Sequence, residues 1–180
     1  MKPLPQSFFA RDSVIVAQEL LGKVITINNY KVRIVETEAY KDDKASHAHK
    51  RTERSAIMYD TYGHVYVYLI YGMHNCLNFT TEKEAPGAVL IRAVEPLNRI
   101  EELKQKRNTN NTFNICSGPG KLTLALGIDR ELNSLKLGKE IKVFDDGYIV
   151  KNINSSSRIG IKDDLHLQWR FSLDSEFVSK

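Results

Sequence analysis

Glu36, Glu38 and Tyr40 stand at alternate positions of an apolar, β-prone run, Arg33-Ile34-Val35-Glu36-Thr37-Glu38-Ala39-Tyr40. Successive side chains of a strand point to opposite faces. The spacing therefore places both carboxylates and the phenol on one face, with Val35, Thr37 and Ala39 on the other. A carboxylate face on a strand is expected to meet water, a cation or a substrate, because burying an unpaired charge is costly. A carboxylate row that ends in an aromatic ring suits acid/base chemistry beside a stacking surface. Two positions apart on a strand, the carboxyl carbons would stand roughly 7 Å from one another. That separation also fits an inverting glycosidase, although the chain's single tryptophan, Trp169, offers sugars little platform.

Other segments carry chemistry of their own. Tyr66, Tyr68 and Tyr71 crowd one strand that ends at Gly72. A two-residue turn at Gly72-Met73 would pair Tyr71 with His74 and Tyr68 with Leu77. A three-residue turn at Gly72-Met73-His74 would pair Tyr71 with Asn75 and Tyr68 with Asn78, and only that register sets Tyr68 beside Asn78. Either turn leaves Tyr71 at an exposed tip. Ser117-Gly118-Pro119-Gly120-Lys121-Leu122 is a Gly-rich entry to a helix whose N–H groups, dipole and Lys121 suit one phosphate. Its spacing is not that of a Walker loop. Cys76, Cys116 and the scattered histidines form no metal pattern, and the distant thiols favour a reducing, cytoplasmic setting.

The elements that must position these groups follow from periodicity and turn residues. Asp12 or Ser13 can cap a helix to about Leu21, stopped by Gly22. Lys23–Asn28 and Lys31–Tyr40 read as strands joined at Asn28-Asn29, and Lys41–Ser55 as a polar loop with a helical turn near Thr52. His64–Ile70, Asn75–Thr80 and Ala88–Val94 read as strands. Pro96 suits the first turn of a helix to about Arg107, and Ser117 can cap a helix through Leu126, closed by Gly127. From Ile141 onward the chain reads as short strands, with turns at Asp145-Asp146-Gly147 and Lys162-Asp163-Asp164. This order predicts an α+β fold with a curved, mainly antiparallel, roll-like sheet flanked by helices.

With 180 residues, 42% hydrophobic and 27% charged, the chain is expected to form a single domain, 1–180, and disordered and fibrous classes are excluded. No apolar run approaches the roughly 20 residues that span a bilayer, and the N-terminus lacks the apolar core of a signal peptide. A net charge of +4 and a pI near 9.0 hint at an anionic partner. Basic residues gather at His47–Arg54 and Lys104–Arg107. Carboxylates, clustered rings, a phosphate seat and basic loops together fit an enzyme acting on nucleic acid.

Four blocks and one residue occur in a recognisable order: Ile34–Tyr40, Tyr66–Met73, Asn78, Val89–Pro96 and Cys116–Leu122. With Leu20–Lys23, Arg158–Ile161 and Trp169–Phe171 they resemble the alkyladenine (3-methyladenine) DNA glycosylase family over nearly the whole chain. The resemblance implies base flipping and cleavage of the N-glycosidic bond of damaged purines, leaving an abasic site. By position it implies Glu38 as the base that activates water, with Glu36 the competing carboxylate and Arg92 helping to hold water and Glu38. It implies Tyr40, His47 and Tyr68 as pocket walls, with His49 the alternative to His47, and Asn78 as the floor that opposes the 2-amino group of guanine. Tyr71, with Met73 beside it, would be the wedge entering the duplex, and Ser117, Gly118 and Lys121 would seat a backbone phosphate. It further implies double-stranded DNA as partner, no metal or organic cofactor, a monomer, and water rather than lysine as nucleophile. A nucleoid-associated or nuclear location would follow from the source. One departure is the stretch from Lys41 to Ser46, which is shorter than the Gly-Pro-containing segment common in the family.

Overall fold

In the computed structural model, which describes residues 1–179, nine strands and five α-helices follow in the order β1 (Lys2–Pro3), α1 (Gln6–Phe9), α2 (Ser13–Leu20), β2 (Val24–Ile27), β3 (Tyr30–Tyr40), α3 (Ala56–Asp60), β4 (Val65–Ile70), β5 (His74–Thr81), β6 (Gly87–Pro96), α4 (Ile100–Arg107), α5 (Pro119–Leu126), β7 (Lys142–Asp145), β8 (Asn154–Ser156) and β9 (Arg170–Ser172). Every strand pairing among the described residues is antiparallel, in the order β1-β7-β2-β3-β6-β5-β4, with β9 joining β3 to β8. The α+β class with an antiparallel sheet is as the sequence predicts.

Strand β3 is the axis of the sheet. One edge pairs along its length with β6, while the other changes partner, from β2 at residues 30–33 to β9 at residues 36–38. The β3–β6 register is irregular around Glu36, which pairs with Ala93, between Ile34↔Val94 and Thr37↔Ile91. Such irregularities re-aim side chains, and this one lies beside Arg92. Behind β3, Val35 and Ala39 enter the main core, and the Thr37 hydroxyl donates to the Ala17 carbonyl of α2 at 2.9 Å. Asp12 caps α2, accepting from the N–H groups of Val14 and Ile15. Asn28 and Asn29, both in the left-handed region, make the β2–β3 turn.

Three local expectations need correction. Pro96 ends β6, pairing with Val32, and α4 begins only at Ile100 after left-handed Arg99. A proline lacking its N–H is tolerated at a strand end, so the ladder extends through it. Helix α5 is entered through Gly118 at φ 151°, not capped by Ser117, whose backbone is held instead in an isolated bridge to Ala93. The hairpin follows neither expected register: Ile70 pairs with His74, Tyr68 with Cys76 and Tyr66 with Asn78. Tyr71 and Gly72 take φ 53° and 70°, and the Met73 N–H donates to the Ile70 carbonyl. This is the positive-φ geometry of a type I′ turn, and it moves the loop one residue toward the N-terminus. Because the shift leaves the pair parity of the three-residue register intact, Tyr68 and Asn78 still share a face, now diagonally.

Candidate active site

The carboxylate face of β3 meets a cation. Glu36 and Glu38 are both fully buried, and Arg92 of β6 spans them: its Nε donates to Glu36 Oε1 at 3.0 Å and its Nη1 lies 3.2 Å from Glu38 Oε1. Glu36 also accepts from Arg170 Nε at 2.6 Å, from the Ser179 N–H at 2.7 Å and from the Ser179 hydroxyl at 2.8 Å. Its oxygens are thereby committed to tying β3, β6, β9 and the C-terminal segment together. Glu38 is held differently. Its Oε1 accepts from the Ile159 N–H at 2.7 Å and its Oε2 from the Tyr40 hydroxyl at 2.7 Å. Burial works against the Arg92 charge, but Glu38 and Glu36 outweigh it and hold the guanidinium protonated. Burial, then the Glu38 charge, pushes the Tyr40 phenol well above its ordinary range, so Tyr40 acts as a donor to the carboxylate.

Above this cluster lies a cavity of about 500 Å³ walled by Tyr40, His47, Tyr66, Tyr68, Asn78 and Arg92, with Tyr71 and His74 at its mouth. The β4–β5 register puts Tyr66, Tyr68, Cys76 and Asn78 on one face, and Ala48, Met58, Tyr66 and Ala88 form a small apolar cluster beneath them. The rings are crowded: His47 meets Tyr68 edge-on with centroids 4.7 Å apart, and Tyr66 and Tyr68 are 5.4 Å apart. His47 Nδ1 shares a 2.8 Å hydrogen bond with the Tyr66 hydroxyl. Although the imidazole keeps an open side, its packing, then the nearby Arg54 charge, lowers its pKa, so it is neutral near pH 7. Burial raises the phenols of Tyr66 and Tyr68 and pushes the Cys76 thiol up to about 11. No carboxylate or lysine side chain lines the cavity among the described residues, and its guanidinium groups are those of Arg92 and Arg54.

Asn78, also on this wall, donates through Nδ2 to the carbonyls of Tyr66 at 3.1 Å and Cys76 at 3.3 Å. Both amide hydrogens are used, which leaves Oδ1 as the acceptor. His49 stands apart, 3.5 Å from Asp42 and exposed, and does not line the cavity. Tyr71 and Met73 project at the hairpin tip, 78% and 70% exposed, a placement that costs apolar hydration and carries no packing. Ser117, Gly118 and Lys121 lie off the cavity wall. The Lys121 ammonium donates to Asn114 Oδ1, and the helix reaches the rim through Pro119 and Gly120. His74 packs so closely on Gly120 that a Cβ there would sit 3.1 Å from its ring.

The fold therefore gathers Tyr40, His47, Tyr68, Asn78 and Arg92 around one cavity, with Glu38 directly behind Tyr40 and Ile159. Sequence reasoning gave no site role to Arg54, Met58, Cys76 or the Ile159–Ile161 segment, the last of which entered only as part of the family resemblance, and all of them line the cavity. Arg54 falls in the basic loop that the charge pattern marks and Ile159–Ile161 in a block of the resemblance, but Met58 and Cys76 carry no local signature of a cavity wall. Among the described residues, no group of His, Cys, Asp and Glu side chains is arranged to hold a metal ion, and no helix is long and apolar enough to cross a membrane.

The site is an aromatic cavity lined also by Arg54 and Arg92, backed by a buried Glu–Arg cluster and bordered by an exposed apolar hairpin tip, a shape that suits a flat ring. Residues 7–176 match the family model described as methylpurine-DNA glycosylase (MPG), and the chain belongs to that family. It is similar to a protein of Clostridium novyi (strain NT), 44% identical with both chains covered in full, and to one of Methanocella arvoryzae, 43% identical over 100% of this chain and 97% of the relative. A protein of Agrobacterium fabrum is 43% identical over 98% and 92% of the two chains. Each of these relatives bears the name "Putative 3-methyladenine DNA glycosylase".

Proposed function

We propose that this protein is a DNA repair glycosylase that flips alkylated or otherwise damaged purines out of the duplex, 3-methyladenine-type bases and hypoxanthine among them, and hydrolyses their N-glycosidic bond. The observation that carries the proposal is the pairing of Glu38 and Arg92 beneath an aromatic cavity of about 500 Å³. Family membership supports DNA as substrate and damaged purines as the bases removed.

In this reading Glu38 orients and deprotonates the water that attacks C1′, and its charge stabilises the oxocarbenium character of the transition state. The bonds that Arg92, Arg170 and Ser179 make to the Glu36 oxygens favour Glu38 over Glu36 as the base. Arg92 pairs with Glu38 at 3.2 Å and holds it in place. Tyr40 and Ile159 hydrogen-bond the Glu38 carboxylate. Water takes over one of these bonds as substrate enters, in keeping with the way catalytic hydrogen bonds tighten in the bound complex. Tyr40, His47 and Tyr68 stack on the extruded purine, whose electron-poor, often cationic ring is attracted by π faces. Neutral His47 adds no repulsion to a cationic base. Asn78 opposes the 2-amino group of guanine, so undamaged guanine is rejected by an unfavourable contact rather than by weaker stacking.

Tyr71 and Met73 wedge into the gap the base leaves, which explains why large apolar side chains stand unpacked at a hairpin tip. Ser117, Gly118 and Lys121 receive a backbone phosphate, Lys121 exchanging Asn114 for it. Among the described residues no lysine lines the cavity, which supports water rather than an amine as nucleophile and a monofunctional enzyme. Residues 1–180 act as one glycosylase domain and as a monomer.

The test is release of free base from duplexes holding 3-methyladenine, hypoxanthine or no lesion. The expected result is release from the damaged strands only, with intact abasic product and no adduct trapped by borohydride. Absence of release from every lesion would overturn the assignment, and a trapped adduct would overturn the monofunctional mechanism.

A further inference from the structure

Arg158 is 3% exposed and its guanidinium is the meeting point of three separate pieces of the cavity wall. Its Nη1 donates to the Ala39 carbonyl at 3.1 Å and to Asp43 Oδ2 at 3.1 Å, and its Nη2 donates to Asp43 Oδ1 at 2.7 Å. Its flat face lies 4.7 Å from the centroid of Tyr40 and 5.3 Å from that of Trp169. Tyr40 lines the cavity and Arg158 does not, so the guanidinium backs the ring on the side away from the cavity. The next residue, Ile159, gives its N–H to Glu38.

Asp43 extends the reach of this pair into the short loop that separates Tyr40 from His47. Its carboxylate accepts from the N–H groups of Lys41 at 3.2 Å and Ala45 at 3.1 Å, while its carbonyl accepts from the Ser46 N–H at 2.9 Å. One bidentate ion pair therefore fixes the back of Tyr40, the loop that delivers His47, and the backbone donor that aims Glu38. A buried pair is seldom a net source of stability, since desolvation offsets most of its attraction. Arg158 also leaves its Nε buried without a partner, which adds to that cost. Conformational specificity is the return that such an arrangement can offer, and a planar guanidinium supplies fork and stacking geometry that an ammonium cannot.

We propose that Arg158, through its pair with Asp43, is a positioning residue for the reaction: it sets Tyr40, His47 and Glu38 in their working geometry without touching substrate. This rests on the reading of Glu38 as the water-activating base. The loop from Lys41 to Ser46 has no proline to stiffen it, and the Asp43–Arg158 pair supplies the rigidity instead.

Single-turnover excision of hypoxanthine at saturating enzyme, binding of the same duplex, and thermal melting are measured for wild type, Arg158→Lys, Asp43→Asn and the apolar double variant Asp43→Leu with Arg158→Met. Trp169, the sole tryptophan, reports the stack directly by its emission. The expected result is a rate reduced by about tenfold to a hundredfold, the loss that small misplacements of catalytic groups produce, with duplex affinity changed less than about threefold. Arg158→Lys should retain more rate than the double variant, and Trp169 emission should shift in both. The double variant guards against misfolding, because replacing both charges leaves none unpaired. Rates within twofold of wild type would overturn the proposal, as would losses that merely follow the folded fraction or the affinity. Wild type without activity on any lesion would instead bring down the glycosylase reading on which it rests.

Discussion

Replacing Glu36 by Gln should damage stability far more than its neighbour's replacement does, and the structure sets the size of the effect. Glu36 is fully buried and faces two guanidinium groups, Arg92 at 3.0 Å and Arg170 at 2.6 Å, as well as both donors of Ser179. Glutamine keeps the shape but removes the charge and turns one acceptor into a donor, aimed either at Ser179 or at the arginines. Breaking a buried pair costs about 3–5 kcal/mol. Arg170 keeps a side chain 20% exposed and can recover some hydration, which places the expected loss at the lower end, about 3 kcal/mol. For a domain of this size that corresponds to a fall in melting temperature of about 6–12 °C. Glu38→Gln should cost less, because Arg92 retains Glu36 as a counter-ion. Urea unfolding of both variants, with thermal melts alongside, measures the difference. A loss below about 1 kcal/mol, the value of a solvent-screened pair, would show that the Glu36 clamp does not hold the β3–β6–β9 junction.

Three further expectations follow from the same geometry. The folded-state pKa of His47 lies below that of the unfolded chain, so the unfolded state binds the extra proton between them. Stability is therefore full above about pH 6.5 and declines as pH falls through the window beneath it; wild type should lose more melting temperature from neutral to mildly acidic pH than His47→Gln, and equal losses would refute this. Cys76 and Cys116 are buried and their thiols are pushed up to about 11 and about 12, so a disulfide-exchange reagent at mildly alkaline pH should titrate neither in the native protein and both after denaturation. Tyr71 is left-handed at φ 53°, a strain of about 1–2 kcal/mol for a residue with a Cβ. Tyr71→Gly should accordingly melt at or above wild type while binding lesion-bearing duplex at least about tenfold more weakly; a less stable variant with normal binding would contradict the wedge assignment.

The strand face at Glu36, Glu38 and Tyr40 was legible because a period of two needs no tertiary information. What that face would meet was legible only through the family resemblance, which put Arg92 beside Glu38; no local pattern links two residues 54 apart in sequence, or shows that Arg92 also pairs with Glu36. The same limit explains the hairpin. Tyrosine disfavours positive φ, so the turn was expected at Gly72-Met73 or Gly72-Met73-His74, whereas the ladder places Tyr71 at the first turn position. The proposed wedge role would account for that departure from local preference. Pro96 misleads in the converse way, since a residue suited to a helix start is equally suited to a strand end. Glu36 and Glu38 could not be ranked from their types alone. Their partners separate them, with Ser179 saturating one and the Ile159 N–H orienting the other. Arg158 left no trace in composition or periodicity because its role depends on three segments converging on one guanidinium.

The central claim is that Glu38 activates water and Glu36 does not. Single-turnover release of hypoxanthine from duplex DNA by Glu38→Gln and Glu36→Gln, both assayed at a temperature where each is folded and with saturating enzyme, tests it most directly. The account predicts that Glu38→Gln loses at least about a hundredfold in rate, within the range that general-base catalysis contributes, while retaining affinity for the lesion, and that folded Glu36→Gln keeps most of its activity. Full activity in Glu38→Gln, or a greater loss in folded Glu36→Gln, would contradict it.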